Sequence, residues 1–195
     1  MTRRIGLVLI LVLLLAAGGA YGLIKWADPG GVSAPPSGVG GPFQLIDTSG
    51  KAVTDKDLLG RPTLMYFGFT YCPEVCPTTL TAVTQWLDMM GRDADRMNVV
   101  FVSLDPERDT PEAMKTYLSN FDPRIRGLTG TVAQVAEAAK AYRVFYRKVP
   151  TSDGSYTVDH STAVYLFDAK GRFVAPIAYG VSAESAVPRL KELVR

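Results

Sequence analysis

Histidine occurs once and cysteine twice in 195 residues. A single imidazole excludes every site that needs several of them. Two cysteines cannot form the framework of a disulfide-stapled miniprotein. An excess of either charge is also missing: 21 Lys and Arg face 19 Asp and Glu. Arg3, Arg4 and Lys25 flank an N-terminal apolar run, and every acidic residue lies at Asp28 or beyond. Without those three, 18 basic residues face 19 acidic ones, a net charge of −1. A domain so near neutral has no electrostatic footprint for nucleic acid, which is excluded as a partner. Internal repeats and heptads are absent as well. Apolar residues are plentiful, at 47% of the chain, enough for one packed domain of ordinary size.

The most prominent positive feature is Ile5 to Ile24, 20 residues without a charge. At about 1.5 Å per residue such a helix spans the ~30 Å hydrocarbon core of a bilayer. The run exceeds the usual h-region of a cleaved signal peptide, although the small residues Ala16 to Ala20 offer a cleavage site. Two arginines and the amino terminus on one side, against Lys25 on the other, orient the N-terminus inwards and carry the rest of the chain outside the cytoplasm. Residues 1–27 therefore read as a single-pass membrane anchor. No Ser/Arg-rich leader precedes it, which favours a bacterial inner membrane with the domain in the periplasm. Residues 28–41 are dominated by Gly, Pro and Ser and read as a flexible linker. One folded domain, 42–195, remains.

Within that domain the expected fold class is α/β. Phe43–Ile46 reads as a short strand, the surroundings of Val53 as a second, and Asp55–Leu59 as a turn or short helix. Thr63–Gly68 and Asn98–Ser103 are nearly continuous apolar runs, as central buried strands should be. Leu80, Val83, Leu87 and Met90 recur at helical spacing and predict a helix over 77–91, ended by Gly91. Pro111 at a first helical position opens a helix to about Ser119. Val132, Val135, Ala136 and Ala139 mark another. Val144–Lys148 and Tyr156–Val158 flank the hairpin signal Ser152-Asp153-Gly154. Thr162–Phe167 and Phe173–Ala178 form a second hairpin, and a last helix lies within 182–195, its start obscured by Pro188. This order suits a thioredoxin-like domain, a central mixed sheet flanked by helices.

Both cysteines fall in Tyr71-Cys72-Pro73-Glu74-Val75-Cys76-Pro77, between a buried strand and a helix. Pro77 fits the first helical turn, which puts Cys76 at the helix N-terminus and Cys72 in the preceding loop. Peptide dipoles and free N–H groups there favour a thiolate. Three intervening residues allow the sulfurs to meet. A purely structural disulfide would gain little: closing so short a loop contributes about 2 kcal/mol, against about 4–5 kcal/mol for a hundred-residue loop. Inert core cysteines are the other bland reading, and flanking prolines at a strand–helix junction make poor core. His160, in Val158-Asp-His160, precedes a predicted strand, and strand ends in such a fold meet at one sheet edge. Two thiolates and an imidazole suit copper as Cu(I), or Cu(II) with an added oxygen, and also zinc with an open position. Asp159 could orient the imidazole or lend an oxygen, although neighbours along an extended strand point apart.

Phe67-Gly-Phe-Thr-Tyr-Cys-Pro-Glu-Val-Cys-Pro77, Ser103-Leu-Asp-Pro-Glu-Arg-Asp-Thr-Pro111 and Val158-Asp-His160 together resemble, in order, the signatures of the SCO/SenC family of copper proteins. The resemblance covers Phe43 to Arg195. It implies a thioredoxin-like domain binding one copper through Cys72, Cys76 and His160. It further implies a metallochaperone role in assembling the binuclear copper centre of cytochrome c oxidase subunit II. Another periplasmic copper chaperone and a thiol reductant are the further partners implied. The alternative duty is a thiol–disulfide oxidoreductase that cycles Cys72 and Cys76 to reduce the copper-receiving protein. That alternative needs only the cysteines, and leaves His160 as a modest pKa modifier.

Other residues have plainer readings. Asp105 and Asp109 resemble paired carboxylates, but Asp105-Pro106 suits a turn, and Asp109 or Thr110 suits the cap of the helix opened by Pro111. Met65, Met89, Met90 and Met97 read as core filling. Phe69 and Tyr71 either pack inside or shield the site.

Overall fold

A computed structural model of the chain describes residues 38–195. The expected anchor at 5–24 and most of the linker lie outside the described residues. Among those described, no helix is long and apolar enough to cross a membrane. The described end of the linker lies against the domain: Gly40 donates its N–H to the carbonyl of Ala141 at 3.0 Å, and Arg143 donates to the carbonyl of Gly38. Contact with the domain thus begins four residues ahead of the expected boundary at Pro42.

Nine strands lie among the described residues: β1 Gln44–Asp47, β2 Ala52–Thr54, β3 Thr63–Gly68, β4 Asn98–Ser103, β5 Ile125–Thr129, β6 Tyr146–Pro150, β7 Tyr156–His160, β8 Val164–Phe167 and β9 Phe173–Ile177. The α-helices are α1 Val75–Met90, α2 Pro111–Leu118, α3 Val132–Ala141 and α4 Ala183–Leu193. Seven strands form one mixed sheet in the order β2-β1-β5-β4-β3-β8-β9. β3, β4 and β5 run parallel at its centre, and β1, β8 and β9 are antiparallel to their neighbours. The fold is thioredoxin-like. β6 and β7 pair only with each other and form a separate two-stranded ribbon.

All six residues of β3 are buried, and its two faces pack against different layers. Tyr66 meets Phe101 of β4 (5.9 Å between ring centres), which meets Tyr117 of α2 (6.0 Å). On the opposite face Phe67 meets Tyr142, the residue capping α3, at 5.7 Å. α1 packs along α4.

β5 is the strand that the sequence pattern does not announce. Its five residues include Arg126 and Gly127, which break the apolar run. Glycine is needed there because a Cβ would stand 2.7 Å from Leu118 and 2.9 Å from Met114, both of α2. α4 also departs from expectation, because it runs through Pro188. An interior proline costs roughly 3 kcal/mol, and burial of Ala186, Val187 and Leu190 on the same helix offsets it. Met65, Met90 and Met97 lie in the core, whereas Met89, expected there too, is exposed.

Candidate metal centre

The thiol segment leaves the C-terminal end of β3 and turns into α1. Glu74, the residue before α1, offers no side-chain cap, and the first turn holds no acidic residue. An uncapped helix start leaves free N–H donors. Pro77 removes one of them, and the N–H of Cys76 finds the sulfur of Cys72 at 3.3 Å. The Cys72 sulfur therefore stands where a Ser or Asp oxygen usually caps a helix. Hydrogen bonding from Cys76 is the largest influence on it and outweighs partial burial; with help from His160 and the Glu74 amide it brings the Cys72 thiol down to about 4. Cys76 goes the opposite way: its bond to Cys72 and its burial both push its pKa up. The sequence places the helix-terminus benefit on Cys76. The structure gives the thiolate to Cys72, because Cys76 is the donor within the first turn and is fully buried.

His160 closes β7 and reaches the pair from the separate ribbon. Its Nε2 lies 3.5 Å from the sulfur of Cys76, and its Nδ1 lies 2.8 Å from the carbonyl of Ser161. A carbonyl only accepts, so Nδ1 donates to it and Nε2 is the ring nitrogen that faces the thiols. The ring is held edge-on by Phe69 (5.8 Å, 85°) and flanked by Tyr66 (6.3 Å). The donor atoms of Cys72, Cys76 and His160 all lie within 4.8 Å of one another. Among the described residues they form the only such group of three. Asp159 is not part of it: its carboxylate pairs with Arg147 at 2.9 Å, on the side of the strand away from the imidazole.

Sequence reasoning missed three supports. Gly68 is the first: a Cβ there would stand 2.8 Å from the Cys76 sulfur. Asp109 is the second. It does not cap α2, where Thr110 accepts from the Ala113 amide instead. Asp109 is fully buried and accepts from the Thr70 amide (3.2 Å), the Thr70 hydroxyl (2.6 Å) and the Ser103 hydroxyl (2.6 Å). It thereby ties the thiol loop to the end of β4. Asp105 is the third: it forms the expected turn, yet its carboxylate is also fully buried, paired with Arg108 and accepting from the Tyr156 hydroxyl at 2.7 Å. The available signal was the density of Ser, Asp and Thr between 103 and 110, which a turn alone does not need. Of the two aromatics beside the thiols, Phe69 is buried and Tyr71 exposed.

Comparison with known proteins places this geometry in context. Residues 32–195 match the sequence model of the SCO1/SenC family. An SCO2-like protein of Rickettsia prowazekii is 34% identical over 197 residues, covering 95% of each chain. The mitochondrial protein SCO2 of Saccharomyces cerevisiae is 40% identical over 162 residues, 80% of this chain, of whose longer length the chain spans 53%. The solved structure of Bradyrhizobium japonicum ScoI with copper bound is 54% identical, covers 80% of this chain and 99% of its own, and superposes with a TM-score of 0.76.

Proposed function

The chain belongs to the SCO1/SenC family, and from that premise we propose that it is a copper metallochaperone. It holds one copper ion between Cys72, Cys76 and His160 for assembly of the binuclear copper centre of cytochrome c oxidase subunit II. In this reading the N-terminal segment anchors it in a bacterial inner membrane and the domain works in the periplasm. The observation that carries the proposal is the meeting of three donors from two separate parts of the fold, with Nε2 of the only histidine facing the sulfurs. A ScoI that is 54% identical was solved with copper bound, which supports copper over zinc. Two soft sulfurs and one imidazole also match the preference of Cu(I).

The chain's own contribution is preparation. Hydrogen bonding from Cys76, from its side chain first and from its N–H as well, lowers the pKa of Cys72 to about 4, so one ligand needs no deprotonation at neutral pH. Cys76 gives up its proton on binding the metal, which makes uptake release a proton. Ser161 keeps the imidazole in the tautomer that presents Nε2. Partly buried Cys72 leaves an edge of the site open to a recipient.

The test is an absorption titration of the reduced full-length chain with Cu(II), beside His160→Ala. Sulfur-to-copper charge-transfer bands at one equivalent, lost or much weakened in the variant, support the three-ligand site. A second duty as a thiol–disulfide reductant is favoured by the same low-pKa, only partly buried Cys72 with Cys76 beside it. If copper merely oxidises both proteins alike to a disulfide and leaves, that second duty takes the place of the first.

A further inference from the structure

The ribbon that carries His160 shares no ladder hydrogen bonds with the main sheet. Two-stranded ribbons are marginal on their own, and of the ten residues in β6 and β7 only Val158 is fully buried. Yet Nε2 of His160 stands 3.5 Å from a sulfur on a different element. Something besides sheet pairing fixes that distance.

Arg108, in the loop between β4 and α2, is placed to do so. Its Nε donates to the buried carboxylate of Asp105 and its Nη1 to the main-chain carbonyl of Tyr156, the first residue of β7, at 3.0 Å. Its guanidinium lies 3.8 Å from the ring centre of Tyr156 and 4.7 Å from that of Tyr71, the residue before Cys72. The Tyr156 hydroxyl returns to Asp105 at 2.7 Å. One planar cation therefore touches the thiol segment, the loop after β4 and the His160 strand. Arginine can make these contacts together because its fork donates in two directions while its face stacks on aromatic rings. The outer pair Lys148–Glu107 is solvent-exposed and adds little.

From this we infer that Arg108, clasped between Asp105, Tyr156 and Tyr71, is a positioning residue that sets His160 against the two thiols. The inference rests on the copper reading for its consequence, and on the ribbon geometry alone for its mechanism.

Arg108→Lys is the informative variant, because it keeps a cation beside Asp105 and so spares the fold a buried unpaired carboxylate. Tyr156→Phe, which removes only the hydroxyl, is the milder companion. Three readouts on the full-length chain decide the matter. In the metal-free protein, amide exchange across 156–161 should rise severalfold in Arg108→Lys while α1 stays protected. With one equivalent of Cu(II), the variant should lose metal to EDTA about 10- to 100-fold faster. Its electron paramagnetic resonance spectrum should show weakened imidazole-nitrogen coupling, with the sulfur charge-transfer bands retained. Tyr156→Phe should move the same way, less far. Unchanged exchange and unchanged nitrogen coupling in both variants would overturn the clasp, as would a lowered melting temperature with both of those intact. Should the wild-type chain hold no copper, the chaperone reading falls, and the exchange result then decides the clasp by itself.

Discussion

A Cβ on Gly68 would stand 2.8 Å from the sulfur of Cys76. The last residue of β3 is thus the floor on which the buried thiol rests, and its φ lies outside the left-handed region, so the demand for glycine there is one of space. The same Cβ would meet Phe101 at 2.8 Å, so neither neighbour can yield without disturbing the core. Gly68→Ala should destabilise the domain by about 1–3 kcal/mol. It should also push Cys76 away from His160 and weaken copper retention. Urea denaturation of the metal-free protein and a chelator competition measure the two effects separately; wild-type values in both would show that the floor is not needed.

The two thiols should be distinguishable by alkylation. Cys72, held near 4, is already thiolate throughout the neutral range, whereas an ordinary thiol, at 9.0, would gain roughly a hundredfold in thiolate between pH 6 and 8. Iodoacetamide should therefore modify Cys72 at a nearly constant rate over those two units, with its rate falling only as pH drops through about 4. Cys76, buried and shifted upward, should stay unmodified while the fold holds. Peptide mass spectrometry of quenched samples assigns each site. A Cys72 rate that climbs tenfold per pH unit from 6 to 8 would show that its contacts with Cys76 do not hold it as thiolate. The sign for stability follows: a thiol depressed in the folded state stabilises it most above the unfolded value, and that contribution fades as pH falls toward 4.

Asp109 anchors the other side of the thiol loop. Three hydrogen bonds, two from Thr70 and one from Ser103, converge on a carboxylate with no exposure. Burial raises its pKa, and those bonds pull it back toward the ionised form. Asp109→Asn presents an amide N–H₂ where a hydroxyl hydrogen points and leaves buried donors without an acceptor. The expected cost is about 1–3 kcal/mol, together with faster amide exchange over 69–72. Thermal unfolding and exchange by mass spectrometry read these outcomes. A variant as stable as the parent, with 69–72 as protected, would remove Asp109 from the account.

Much of this architecture is visible in the sequence where burial is continuous. β3 and β4 carry unbroken apolar runs, and the structure places them at Thr63–Gly68 and Asn98–Ser103 as read. The meeting of His160 with Cys72 and Cys76 is legible only in outline: strand ends are expected to gather at one sheet edge, whereas His160 reaches the thiols from a ribbon outside the main sheet. What the pattern hides is whatever depends on three-dimensional neighbours. β5 is interrupted by Gly127 because α2 crosses close above it, a requirement that no local periodicity encodes. Asp105 and Asp109 read as turn and cap chemistry because acidic residues seldom have no exposure; their partners, Tyr156 and Thr70, lie 51 and 39 positions away. Which cysteine becomes the thiolate likewise turns on the contact between the two side chains, with the Cys76 N–H assisting, and on the deeper burial of Cys76.

Tyr66 isolates one property of the site from the rest. Its ring is buried against Phe101 and beside His160, and its hydroxyl donates to the Cys76 sulfur at 3.5 Å. Burial drives the phenol's pKa upward, and the neighbouring sulfur pushes it further, so the hydroxyl stays protonated and remains a donor. Tyr66→Phe keeps the ring and deletes that donor. Because the sulfur is a weak acceptor, stability should change by less than about 1 kcal/mol. The effect should instead be electronic. A hydrogen bond to a metal-bound thiolate withdraws electron density and favours the lower oxidation state of the metal. Losing it should lower the reduction potential of the copper-loaded chain and shift the sulfur-to-copper band, with copper stoichiometry still one. Potentiometric titration of wild-type and variant proteins gives the answer: equal potentials would mean that the Tyr66 hydroxyl serves packing and nothing more.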